Sequence, residues 1–265
     1  MTDIERFKTN LYHLLEKVGA TDYEEFQQVL RRNPLQNPAY SFSEYMKKEE
    51  RLHPSAPGSY RETIRQAVAQ KFNKIKNWNC KDPVELYHKI SDRQEANAIV
   101  NSMTIRDPAV GSGRFLVAAL HELICMKSQL DILHDHTGQP LKDYRVEVVK
   151  DELIVKDNHG KLFVYNPASR ESQLIQETLF HEKQTLIINC LSGVDDNPHL
   201  VEICRLRLWI ELLKSAYFLE NPPEESNASP VCYLNSGELR EEYRPRRRLV
   251  SLPEIVNIKC GSFPD

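Results

Sequence analysis

The sequence predicts an α/β fold with a parallel, Rossmann-like sheet, and two stretches about eighty residues apart carry the prediction. Met103-Thr104-Ile105 is strand-like and delivers Asp107 to the turn Pro108-Ala109-Val110-Gly111-Ser112-Gly113, after which Arg114-Phe115-Leu116 opens an apolar helix. Gly193-Val194-Asp195-Asp196-Asn197-Pro198 repeats the scheme: an acidic strand end, then Asn197 as N-cap and Pro198 as first helical residue. A doubly wound fold places such acidic residues at the carboxyl ends of successive strands, where a ribose is held.

In chain order, residues 4–32 carry a helical apolar stripe of Phe7, Leu11, Leu14, Leu15, Val18, Phe26, Val29 and Leu30. Asn33-Pro34, Asn37-Pro38 and His53-Pro54-Ser55-Ala56-Pro57-Gly58-Ser59 are rich in breakers, which puts a boundary near residue 58. An N-terminal helical segment (1–58) therefore precedes the main domain (59–265). A helix is expected from Glu62 to about Lys76, and Asp82-Pro83 opens another toward Asn101.

In the first motif, Gly111 and Gly113 permit backbone angles other residues avoid and let a ligand approach the main chain. The helix from Arg114 to about Met126 then offers free N–H groups to an anion such as a carboxylate. Leu116 stands where a dinucleotide fingerprint needs a third glycine, and no Gly-Lys-Ser/Thr ending marks a phosphate loop. Between the motifs an insertion spans about residues 131–185. Residues 144–149 and 152–156 are strand-like, and the turn Asp157-Asn158-His159-Gly160 leads into a third strand-like run, Lys161–Tyr165. From His199 to about Leu219 apolar residues recur at helical spacing, with Arg205 and Arg207 expected to be solvated or paired with Glu202 and Glu211.

A chain of 265 residues that is 40% hydrophobic can bury a sizeable core. Its net charge of −3 makes no global case for nucleic acid, so DNA contact must come from a local patch or from regions beyond this chain. The six cysteines form no Cys-x-x-Cys pair and read as reduced thiols of a cytoplasmic protein; no signal peptide or membrane span is expected. His134-Asp135-His136 lacks further ligands, so no metal is expected. Arg244-Pro245-Arg246-Arg247-Arg248 is the best phosphate-binding candidate, although a solvated linker needs no partner.

The run Asp107 to Leu116 resembles the S-adenosylmethionine motif of adenine-specific DNA methyltransferases. Val201-Glu202-Ile203-Cys204-Arg205-Leu206-Arg207-Leu208-Trp209 resembles the helix that follows the second motif in type IIG (Eco57I-like) restriction–modification enzymes. The resemblance covers about residues 60–260, including Tyr60-Arg61-Glu62-Thr63-Ile64 and Asp92-Arg93-Gln94-Glu95-Ala96-Asn97. It implies part of a class I methyltransferase sheet that binds S-adenosylmethionine at Asp107, Pro108, Ala109, Gly111, Ser112, Gly113, Asp195, Asp196 and Ser262. Methyl transfer to a flipped adenine of double-stranded DNA, without metal, is the implied reaction.

Four departures qualify what the resemblance implies. A cofactor-contacting segment with a Thr-Pro pair is replaced by Ser55-Ala56-Pro57-Gly58-Ser59-Tyr60, and Asp196 stands where an apolar residue packs on the cofactor's adenine. Ser262, after the third strand expected at Ile255–Gly261, replaces an Asn or Asp. The Asn/Asp-Pro-Pro-aromatic catalytic tetrad is missing: Asn221-Pro222-Pro223-Glu224 lacks the aromatic, so no catalytic residue is assigned. The expected function is thus the cofactor-binding portion of such an enzyme, inactive alone and dependent on a partner polypeptide for the rest. The alternatives are a non-catalytic DNA- or partner-binding remnant and a methyltransferase acting on protein or RNA.

Overall fold

The computed structural model describes Thr9 and residues 57–149, 151–220, 231–235, 238–242 and 247–262. The stripe on residues 4–32 apart from Thr9, the breakers before Pro57, Asn221-Pro222-Pro223-Glu224 and residues 244–246 of the basic run lie outside the described residues.

Three helices come first: α1 (Pro57–Lys76), α2 (Pro83–Lys89) and α3 (Arg93–Asn101). Helix α1 begins before the expected Glu62, with Pro57 as its first residue, where a fixed φ and a missing N–H do no harm. The single helix expected from Asp82 to Asn101 is two. Asp82 caps α2 through the Glu85 N–H and Asp92 caps α3 through the Glu95 N–H, both at 2.9 Å. Between them Ile90 is extended (φ −73°, ψ 108°), which ends α2.

Strand β1 (Ile105–Asp107) leads through the glycine turn into α4 (Arg114–Gln129). The insertion follows as a hairpin of β2 (Tyr144–Val149) and β3 (Glu152–Asp157), antiparallel with Val146 opposite Val155 and Asp151 at positive φ in its turn. The expected strand at Lys161–Tyr165 is absent: Leu162 makes one bridge to Lys156. The Asp157 carboxylate closes the turn on the N–H groups of His159 and Lys161, each at 2.9 Å. Tyr165 then draws the chain away, its buried hydroxyl donating to Gln173 (2.6 Å) and accepting from the Phe218 N–H (2.9 Å).

Helix α5 (Arg170–Asn189) takes in Glu177–Thr185, so that part of the expected insertion is a core helix with Phe180, Glu182 and Lys183 buried. After it come β4 (Leu191–Asp195), α6 (Pro198–Leu213), β5 (Phe218–Glu220), β6 (Val231–Asn235), β7 (Glu238–Glu242), β8 (Arg247–Leu249) and β9 (Ile258–Cys260). Strands β5 and β8 pair antiparallel, as do β6 and β7.

The sheet that positions the site is parallel, in the order β1-β4-β9. Ile105 lies beside Leu191, and Gly193 beside Ile258. Helices α4 and α6 return the chain between these strands and are buried on most sides, with Leu116, Leu120, Leu123, Leu206, Leu208 and Leu212 fully enclosed. Such all-round burial marks helices held between layers. No described helix is long and apolar enough to cross a membrane.

Charged groups cross-link the helices inside this core. Glu211 of α6 meets His121 of α4 at 2.8 Å, Lys183 of α5 at 3.6 Å and Lys214 at 2.7 Å. Lys127 of α4 pairs with Glu182 of α5 and donates to Asn101 at 2.6 Å. Arg205, expected to be solvated or ion-paired on its own helix, instead donates to the Ile258 carbonyl from Nε (2.9 Å) and Nη2 (2.6 Å), tying α6 to β9.

Candidate cofactor site

The two motifs meet at the carboxyl ends of β1 and β4. At the end of β1 the Asp107 carboxylate accepts the Ala109 N–H at 3.1 Å, which turns the chain back. The Val110 N–H then reaches the Val194 carbonyl at 2.9 Å, extending the contact with β4 past the strand. Gly193 makes this approach possible: a Cβ there would stand 2.7 Å from Val110 Cγ2.

Asp195 joins the motifs. Its Oδ2 accepts the Gly111 N–H at 2.9 Å, and its Oδ1 accepts the Asn197 N–H at 2.9 Å. Asn197 in turn caps α6 through the His199 N–H at 3.0 Å, and the Asp195 carbonyl accepts the Gly261 N–H at 3.0 Å after β9. One residue thereby fixes the glycine turn, the start of α6 and the end of β9.

Gly113, at φ +81°, is the N-cap of α4 and sits against α6. A Cβ on it would lie 2.5 Å from Cys204 Sγ and 3.1 Å from Cys204 Cβ. The Cys204 thiol is buried, which pushes its pKa up to about 12, so it acts here as a small neutral spacer. Burial also raises the Asp107 pKa; the Ala109 N–H opposes this, and the neighbouring Asp195 charge adds to it.

Of the expected cofactor residues, Asp107, Gly111 and Asp195 are half-buried around this junction. Pro108, Ala109, Asp196 and Ser262 are exposed, whereas Ser112 is buried, only 5% exposed. Asp196 contributes its carbonyl to the Cys260 thiol at 3.6 Å, leaving its carboxylate outward. A Cβ placed on Gly111 or Gly261 would meet nothing within 4 Å, so space is open beside both. Val110, Cys204 and Gly261 were not singled out as site residues. Gly261 at φ +108° had a local signal in its glycine, but only tertiary packing reveals Cys204.

The arrangement suits a ligand with vicinal hydroxyls and a compact polar head. A carboxylate offers about four lone-pair directions, and the two N–H groups on Asp195 leave room for ribose hydroxyls. The first turn of α4 presents N–H groups to an anionic head. At His134-Asp135-His136, the Asp135 carboxylate is engaged by the Thr137 and Gln139 N–H groups. Among the described residues no cluster of three or more His, Cys, Asp or Glu is placed to hold a metal.

No family model matches the chain, and no solved structure matches it. A Methanocaldococcus jannaschii protein described as a proposed type II restriction enzyme and methyltransferase is 28% identical over 214 residues. That alignment covers 76% of this chain and 13% of the relative, so the chain corresponds to a small part of that protein's length. Over most of its length, then, this chain is similar to a segment of a restriction–modification methyltransferase protein.

Proposed function

We propose that this chain forms the S-adenosylmethionine-binding portion of an adenine-specific DNA methyltransferase from a type IIG-like restriction–modification system. The observation that carries the reading is the Asp195 carboxylate bridging the Gly111 and Asn197 N–H groups across two parallel strands. It brings two acidic strand ends and a glycine turn together beside open space. Similarity to the archaeal restriction enzyme and methyltransferase supports the substrate class.

When bound, S-adenosylmethionine supplies an electrophilic methyl group on a sulfonium. Asp195 would accept the ribose hydroxyls, the Gly111–Gly113 main chain would lie along the methionine portion, and Asp196 and Ser262 would flank the adenine. The sequence holds no Asn/Asp-Pro-Pro-aromatic run, so capture of the flipped base and reading of the DNA are assigned to other parts of the enzyme, in the same or a partner polypeptide. The reduced thiols suit the cytoplasm, where such an enzyme meets DNA.

Calorimetric titration with S-adenosylmethionine tests the reading. Asp195→Ala removes hydrogen bonds to a charged group, worth about 1.5–3 kcal/mol each, and is expected to weaken binding roughly 10- to 100-fold. Asp196→Ile replaces an exposed carboxylate by apolar surface over the adenine. It is expected to tighten binding about tenfold, in line with roughly 1–3 kcal/mol for burying such a side chain. No heat from folded protein at millimolar ligand would instead identify a remnant that keeps the scaffold without the cofactor.

A further inference from the structure

At the end of α6 opposite its Asn197 cap, the hairpin and helices α5 and α6 line a cavity of ≈ 410 Å³. Nothing about it depends on a cofactor at the two motifs, and its size falls within the roughly 300–1,000 Å³ of pockets that hold small molecules. The hairpin and the residues after it contribute apolar side chains: Val146, Leu153, Val155, Leu162 and Phe163. The helices contribute Leu179 and a polar set, Gln176 and Lys183 from α5 and Glu211 from α6, followed by Lys214 and Ser215.

The charges in this polar set do not balance. Glu211 is its one buried carboxylate, and it is shared: Oε1 accepts from Lys214 at 2.7 Å, and Oε2 lies 2.8 Å from His121 Nε2. Lys183 is left with less. Its buried Nζ donates to the Glu211 carbonyl at 3.0 Å, while the Glu211 carboxylate stands 3.6 Å away, beyond hydrogen-bond reach. Burial pulls the Lys183 pKa below the ordinary lysine range, against the pull of Glu211. Lys214 reaches a second carboxylate, Glu152 at 2.8 Å, but that side chain is 57% exposed and its charge is screened by water. Two ammonium groups thus border the cavity with one buried negative charge between them, and an ammonium donates in several directions.

We propose that the cavity binds a small organic carboxylate, its apolar body against the hairpin side chains and its head accepting from Lys183 and Lys214. The head supplies the negative charge that the two lysines lack. Charge complementarity selects the sign of the ligand: a cation would stand beside two ammonium groups, and a wholly apolar molecule would leave them desolvated without a new partner. The apolar contribution of the hairpin selects the body, since a bare anion would leave those side chains uncovered. Leu162 lines the cavity and is 49% exposed, which places it at the mouth.

The test titrates the full chain with octanoate and 4-phenylbutanoate, and with the uncharged amide of each, by calorimetry. At least one carboxylate is expected to bind about tenfold more tightly than its amide, because charge-assisted hydrogen bonds are roughly twice as strong as neutral ones. Methyl spectra should show shifts at Leu153, Leu162 and Leu179 on binding. Lys183→Met is expected to remove the preference for the acid. Leu162→Trp, at a half-exposed position outside the core, should weaken binding about tenfold by filling the mouth. If Lys183→Met fails to fold, the comparison of acid with amide and the Leu162→Trp variant decide the matter without it. Equal affinity for acid and amide, binding untouched by Leu162→Trp, or no heat from the folded chain at millimolar carboxylate would each overturn the proposal.

Discussion

Gly113→Ala is expected to abolish the S-adenosylmethionine binding proposed for the glycine turn and to lower stability by a few kcal/mol. Two separate costs combine. An L-residue held at φ +81° bears about 1–2 kcal/mol of left-handed strain. The new methyl would also lie 2.5 Å from Cys204 Sγ, and overpacking of that kind costs about 1–3 kcal/mol. The helix α6 bearing Cys204 is enclosed in the core and cannot retreat freely, so the glycine turn must move and the Gly111–Asp195 hydrogen bond with it. Adding Cys204→Ala separates the two costs. The double variant should recover the part of the overpacking due to Sγ and keep the backbone part, as read from chemical denaturation. Calorimetry should show cofactor binding still impaired. A single variant as stable as wild type would show that the turn tolerates a side chain and that Cys204 is no spacer.

Glu211→Ala should be still more damaging to the fold, by about 3–5 kcal/mol, because it strands buried cations that one carboxylate serves. Burial alone would raise the Glu211 pKa. His121 outweighs it together with Lys214 and Lys183, and the carboxyl is held well below the usual range. The sign of the pH effect follows. A depressed folded-state value contributes stability that is full above the unfolded value of about 4.3 and is lost as pH falls through the lower folded value. The gap between wild type and Glu211→Gln should therefore close as pH falls below about 4.3. Urea midpoints measured across that range check this, and a gap that widens in acid would contradict the assignment.

The two motifs were legible in the sequence because their signals are local. Asp107, the glycine turn, Asn197 and Pro198 each announce a strand end, a turn or a cap within a few residues, and the hairpin follows from the strand-like runs 144–149 and 152–156, whereas the turn Asp157-Asn158-His159-Gly160 leads into no strand. What escaped depends on burial by distant segments. Glu211 sits at helical pairing distance from Arg207 and reads as a solvated residue, yet α4 and α5 close over it. Lys161–Tyr165 alternates like a strand, but the fixed hydroxyl of Tyr165 takes the chain toward α5 and β5. The polar run Glu177–Thr185 looks like surface decoration until its lysine and glutamates find buried partners. Of the junction at the strand ends, the carboxylates and glycines were visible; the spacer role of Cys204 was not, because nothing in its neighbours points across to Gly113.

The parallel pairing of β1 with β4 has a consequence for how the chain folds. Ile105 and Leu191 are neighbours in the sheet but more than eighty residues apart in sequence. The hairpin and the helices can form from nearby residues, whereas this ladder must wait until a long loop closes, and non-local pairings of that kind fold slowly. The junction of the two motifs at Asp195 can exist only after that closure. Refolding followed by far-ultraviolet signal should then run ahead of refolding followed by cofactor binding, so the interval between the two would time the meeting of the strands.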